Sequence, residues 1–113
     1  MLKSYLAAGL LLGALAAPLH AQADAAGKRI ALILGPTDDV YLGAIDKYFT
    51  AEATKLGMKV TVFSSPFDPA LEAQQIDDAI AQKYDLLVVQ ILSQKAIVPP
   101  LLRAKAAHIP VVL

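Results

Sequence analysis

Two short stretches concentrate the side chains able to do chemistry. The first is Gly35-Pro36-Thr37-Asp38-Asp39-Val40-Tyr41 and the second is Gln90-Ile91-Leu92-Ser93-Gln94. Together they supply two carboxylates, a Thr and a Ser hydroxyl, a tyrosine ring and an amide. Carboxylates accept two hydroxyl hydrogen bonds at once and an aromatic face packs on the C–H side of a sugar ring, so the set suits a neutral polyol. Each candidate also has a structural alternative. Asp38 or Asp39 caps the helix that follows, Tyr41 packs in the core, and Ser93 caps the third helix.

Catalysis finds no matching constellation. Gly35 has no partner glycines in a G-x-G-x-x-G pattern and no Gly-Lys-Ser/Thr follows, so neither a dinucleotide nor a P-loop phosphate has its cradle. A phosphoryl-accepting receiver domain would share the pair Asp38-Asp39 but needs an acceptor Asp at the end of the third strand, where Gln90 and Ile91 stand. Two distant His and no Cys assemble neither a metal site nor a nucleophile–base pair. No catalytic residue, metal or cofactor is therefore expected. Asp77-Asp78 reads as a solvated helix face.

The elements that position the two stretches follow from apolar periodicity. Ile30-Ala31-Leu32-Ile33-Leu34 is an unbroken apolar run, as in a strand buried on both faces of a parallel sheet, and it ends at Gly35-Pro36. Leu42, Ile45, Phe49, Ala53 and Leu56 place one stripe along a helix stopped by Gly57. Met58 to Phe63 alternates, with Val60 and Val62 opposite Lys59 and Thr61, which predicts a half-covered edge strand. Ser64-Ser65-Pro66-Phe67 reads as a loop and Asp68-Pro69 as a helix start, with Leu71, Ile76, Ile80 and Tyr84 facing inward. Leu86 to Val89 predicts a central strand. A third helix runs to about Ala107, starting near Val98 or kinked by Pro99-Pro100, with His108 as its polar C-terminal cap. Ile109 to Leu113 starts a fourth strand.

The order β-α-β-α-β-α-β is the parallel α/β pattern, and right-handed crossovers with an edge-type second strand favour the sheet order 2-1-3-4. In such a sheet ligands bind at the carboxyl ends of the strands where the order reverses, between strands 1 and 3. Both chemistry-bearing stretches lie there. The first helix then covers one face alone and the fourth strand is an apolar edge, so the chain reads as the N-terminal part of a longer protein.

Composition narrows the class further. The chain has 113 residues, 57% of them apolar, with 10 Lys+Arg against 10 Asp+Glu. The acids and bases are scattered, which leaves no basic surface for nucleic acid. Lys3 precedes an uncharged run from Tyr5 to Ala17 closed by Pro18, shorter than the roughly 20 residues a membrane-spanning helix needs but suited to a secretory signal. Ala21-Gln22-Ala23 offers small residues for cleavage before Asp24, with the cut before Gln22 as runner-up. The expected organisation is a signal peptide over 1–23, a flexible leader over 24–29 and a partial lobe over 30–113. No Cys follows the signal, so there is no acceptor for a lipid anchor, and no disulfide braces the fold.

Ile30 to Leu34, Asp38-Asp39-Val40-Tyr41, Ala51-Glu52-Ala53-Thr54-Lys55-Leu56-Gly57 and Ala104-Lys105-Ala106-Ala107-His108-Ile109-Pro110-Val111-Val112 carry a resemblance that covers essentially all of 24–113. The chain resembles the type I periplasmic binding proteins, specifically the ribose-type sugar-binding components of ABC importers. The resemblance implies a periplasmic protein that binds a small molecule, a sugar or polyol, reversibly and without catalysis, and delivers it to a membrane permease. It implies a polar contact from Asp39, ring contact from Tyr41, Leu42 where a second aromatic is common, and Ser93 where an Asp commonly grips sugar hydroxyls. Gly35 lies in the same ligand loop, and Asp38, Thr37 and Gln90 complete the expected site. DNA-binding repressors share this core but carry a helix-turn-helix where this chain has its signal. Family members trap ligand between two hinged lobes, and these residues resemble the first part of the first lobe. An exported Rossmann-like enzyme with catalytic residues beyond Leu113, or a remnant without function, stay open as alternatives.

Overall fold

A computed structural model describes residues 24–113. The signal peptide expected over 1–23 and its cleavage site lie outside the described residues. The elements are β1 (Arg29–Leu34), α1 (Val40–Lys55), β2 (Lys59–Ser64), α2 (Pro69–Ala81), β3 (Leu86–Val89), α3 (Val98–Ala106) and β4 (Val111–Val112). The four strands form one sheet in the order β2-β1-β3-β4 with every pairing parallel. This is the α/β topology that the sequence predicts. Within the stretch 24–29, the Gly27 N–H donates to Gly57 O (2.8 Å) and Arg29 already opens β1.

β1 is buried on both faces because it lies between two neighbours and under helices on either side. Ala31 and Ile33 join Leu87 and Val89 of β3, Ile76 and Ala79 of α2, and Ala104 of α3 in the main core. Ile30 faces the other way, towards Phe49 and Ala53 of α1. Among the described residues α1 alone covers that second face. Leu86 and Val88 of β3 stay half-buried there, and Val112 of β4 is 52% exposed.

α1, α2 and α3 end in the same way, with the residue after the cap in the left-handed region. Gly57 (φ 79°), Lys83 (φ 57°) and His108 (φ 58°) occupy this position. In each case that residue and the next donate back to the last turn: Gly57 N to Thr54 O and Met58 N to Ala53 O, Lys83 N to Ile80 O and Tyr84 N to Ala79 O, His108 N to Lys105 O and Ile109 N to Ala104 O. This paired backbone closure satisfies carbonyls that the helix leaves free. His108, expected as a polar C-terminal cap, closes α3 through its backbone.

Three local expectations are settled by geometry. α3 starts at Val98, so Pro99 and Pro100 sit in its first turn, where the N–H groups have no helical partner and proline costs little. Tyr84 lies beyond the end of α2 instead of on it, with its ring edge-on to Phe63 (centroids 5.9 Å apart) and the Arg29 guanidinium 4.2 Å over its face. Asp77 is not a merely solvated acid. Both its oxygens accept from Arg103 of α3, at 2.7 and 2.9 Å, which ties the two helices on one face together.

Candidate functional site

Parallel strands bring their carboxyl ends to one side of the sheet. The register pairs Leu34 with Ser64 and Ile33 with Val89, so the residues that leave β1, β2 and β3 emerge together. The Ser65 N–H donates to Leu34 O (3.2 Å) and the Gln90 N–H to Ile33 O (3.0 Å), carrying the ladder one step past the strands.

Gly35 is the pivot of this end. A Cβ there would stand 2.7 Å from Phe67 Cε1, 3.0 Å from Leu42 Cδ1 and 3.2 Å from Gln90 Oε1, so the position takes no side chain without rearrangement. The Gly35 N–H donates to Gln90 Oε1 (2.9 Å), and this one bond ties the segment after β1 to the segment after β3. From the other side, Ser64 donates its hydroxyl to Gly35 O (3.1 Å) and accepts from the Thr37 N–H (3.2 Å). The β1–α1 loop is thus held by β3 and β2 together. Gly43 adds a close approach in the first turn of α1, where a Cβ would stand 2.6 Å from Thr37 O.

Asp39 caps α1. One oxygen, Oδ1, accepts from the N–H groups of both Tyr41 (2.9 Å) and Leu42 (3.0 Å), which satisfies two donors left open at the helix start. Asp39 is nonetheless exposed, as are Asp38 and Tyr41, the last at 72%. Tyr41 accordingly does not pack in the core. Leu42 does, at 2% exposure, and presents no surface to a ligand in this arrangement. Ser93 accepts from the Ala96 N–H (3.2 Å) and its carbonyl from the Ile97 N–H (3.1 Å), so it caps the turn that leads into α3.

An open concavity of about 440 Å³ lies at this end, lined by Pro36, Thr37, Asp38, Ser64, Ser65 and Pro66. It sits over the β1 and β2 ends, beside the β1–β3 crevice. Thr37 and Asp38 are the expected residues that line it; Gly35, Gln90 and Ser93 support the loops around it. Ser64 and Ser65 are contributors that a reading of the residues as a plain loop misses. Their signal was the alternation of β2, which continues to Ser64 and brings it level with Leu34.

Glu72 is the other residue with no forewarning in the sequence. It lies in the first turn of α2, is 3% exposed, and accepts from the Leu92 N–H through Oε2 (3.1 Å). Burial pushes its carboxyl above the ordinary carboxylate value, with the Leu92 bond acting in the opposite sense. Among the described residues, no group of three or more His, Asp or Glu is arranged to hold a metal ion.

A parallel sheet with ligand-capable loops gathered at the carboxyl ends defines a class of open-sheet binding domains. The sequence matches the family described as periplasmic binding protein domain over residues 30–113, and the chain belongs to that family. Its sheet order and three helices match the first lobe of the type I members. A periplasmic ribose ABC transporter protein from Conexibacter woesei DSM 14684 is 29% identical, with a TM-score of 0.73 over 77% of this chain and 29% of its own. An ABC transporter solute binding protein from Agrobacterium vitis, bound with alpha-D-tagatopyranose, is 32% identical, with a TM-score of 0.69 over 74% of this chain and 28% of its own. An ABC sugar transporter subunit from Rhodobacter sphaeroides 2.4.1 is 26% identical, with a TM-score of 0.70 over 76% and 30%. The chain thus spans less than a third of the length of these structures. No curated protein matches it.

Proposed function

We propose that the complete protein is a periplasmic solute-binding component of an ABC importer, which binds a monosaccharide or related polyol reversibly and passes it to a membrane permease. One observation carries this reading. The carboxyl ends of β1 and β3 are tied through Gly35 and Gln90, and beside that tie Asp38, Asp39 and Tyr41 remain exposed. The periplasmic ribose ABC transporter protein, the solute binding protein bound with alpha-D-tagatopyranose and the ABC sugar transporter subunit described above support it.

Each candidate has a physical role in the proposal. Asp39 spends one oxygen on the start of α1, which leaves the second for ligand hydroxyls, and Asp38 presents a further carboxylate on the concavity wall. The exposed Tyr41 ring offers a face to the C–H side of a sugar. Thr37 supplies a hydroxyl, while Gly35, Gln90 and Ser93 act by holding the loops, and Leu42 supports them from the core. Residues 30–113 form one wall of the site, part of an N-terminal lobe, and a second lobe closes over the ligand. Export follows from the signal peptide over 1–23, cut before Asp24 or Gln22, with 24–29 as a leader. Binding requires no catalytic residue, cofactor or metal, and involves no nucleic acid or lipid anchor.

Thermal unfolding of the complete protein with a panel of monosaccharides, polyols and amino acids tests the proposal. A ligand present at 1,000 times its dissociation constant stabilises by about 4 kcal/mol, well above the resolution of a melt. Stabilisation by at least one sugar and by no amino acid is expected. A melt that no sugar moves would remove the proposal.

A further inference from the structure

Among the described residues, two buried side-chain oxygens find no hydrogen-bond partner: Glu72 Oε1 and Gln75 Oε1. Both belong to α2, three positions apart, so they are neighbours on one face of the helix. Both are acceptors if Glu72 is ionised, and a buried acceptor without a donor is costly. A proton on Glu72 removes the conflict. It turns Oε1 into a donor, and Gln75 Oε1 is the acceptor that lacks one.

The position of Glu72 gives this proton a consequence. Its other oxygen holds the Leu92 N–H, in the β3–α3 segment two residues after Gln90, whose side chain in turn holds the Gly35 N–H. A hydrogen-bonded series therefore runs from α2 through the β3–α3 segment to the β1–α1 loop. We propose that Glu72 is a positioning residue of the binding end, which in its protonated form donates from one oxygen to Gln75 Oε1 while the other fixes the β3–α3 segment through the Leu92 N–H. The effect on ligand affinity rests on the proposed function; the effect on the unliganded fold does not.

The charged neighbours leave room for this state. On its own segment are Asp68, which caps α2, the exposed Asp78, and Asp77, which is paired with Arg103 of α3. The exposed Lys95 lies in the β3–α3 segment and the exposed Lys105 on α3. β1 from Ile30 to Leu34 and β3 from Leu86 to Val89 carry no charge. Burial is the largest influence on the carboxyl and raises it above the ordinary 4.5, and the opposing influence is the Leu92 backbone bond. With the folded value raised, the stability that Glu72 contributes is fully present below the unfolded value and is lost as pH rises through the folded value.

The test is thermal unfolding of the complete protein, without ligand, for wild type and Glu72→Gln from mildly acid to mildly alkaline pH. The substituted amide keeps an oxygen for Leu92 and gives Gln75 a donor that does not titrate. The two proteins are expected to melt together in acid, with Glu72→Gln melting about 2–4 °C higher once the wild-type acid ionises. Carbon-13 NMR of the Glu72 carboxyl is expected to show a midpoint above 4.5. Parallel melting profiles, or a midpoint at or below that value, would overturn the proposal, because a rotated Gln75 amide would then be satisfying an ionised carboxylate. Titration with D-ribose and D-tagatose reads the consequence separately. Glu72→Ala is expected to weaken sugar binding at least tenfold and Glu72→Gln to keep it. If wild type itself binds no sugar, the proposed function fails, and the melting profiles still decide the state of Glu72.

Discussion

Asp39 joins two roles that a single pair of substitutions separates. Its Oδ1 accepts from the Tyr41 and Leu42 N–H groups at 2.9 and 3.0 Å, which is the work of a helix cap, and its second oxygen is the one proposed to grip ligand. Serine caps a helix about as well as aspartate but has no second oxygen, whereas alanine does neither. Asp39→Ser loses only the favourable charge at the helix start, about 0.3–1 kcal/mol without ligand. Asp39→Ala loses the cap as well, for a total of about 1–2 kcal/mol. A hydrogen bond to a charged group contributes about 1.5–3 kcal/mol, which translates into roughly a 10- to 100-fold loss of affinity for either variant. The assay is calorimetric titration of the complete protein with D-ribose and D-tagatose, alongside unliganded melts. If Asp39→Ser keeps wild-type affinity while Asp39→Ala loses it, Asp39 acts through the cap alone. If both keep it, Asp39 is not in the site.

Further predictions bear on how the loops are held. Gly43→Ala gains about 1 kcal/mol by helix propensity, but its Cβ would stand 2.6 Å from Thr37 O, a backbone atom, so a net loss of about 1–3 kcal/mol is expected in denaturant melts. A stabilised Gly43→Ala would show that the β1–α1 loop moves aside freely. Lys83→Gly places glycine at φ 57° after α2, where an L side chain is strained, and a gain of about 0.5–1 kcal/mol is expected. A loss there would mean that the Lys83 side chain contributes more than its backbone strain costs.

The fold was legible because burial leaves different periods in different elements. Ile30 to Leu34 could be read as a central strand since both its faces are covered, and the alternation of β2 marked it as an edge. Asp68 is legible as a cap because capping is local, decided within three residues, whereas the sequence leaves Asp38 and Asp39 as alternatives for α1 and the structure selects Asp39. What escaped the sequence depends on partners far along the chain. Ser64 reads as loop until the pairing with Leu34 sets it beside Gly35. Glu72 looks like an ordinary first-turn acid until the fold brings the Leu92 N–H to it, and Asp77 looks solvated until α3 brings Arg103. Leu42 lies next to the exposed end of the β1–α1 loop in sequence, yet the helical turn that exposes Tyr41 points Leu42 into the core.

Reversible binding of a sugar at the carboxyl end of the sheet is the function proposed for the complete protein. The most direct measurement is calorimetric titration of the complete protein with D-ribose and D-tagatose, followed by mass analysis of the recovered sugar. Saturable binding of at least one of the two is expected, weakened in Asp39→Ser, with the sugar recovered unchanged. Absence of heat with both sugars, or recovery of a chemically altered sugar, would contradict it.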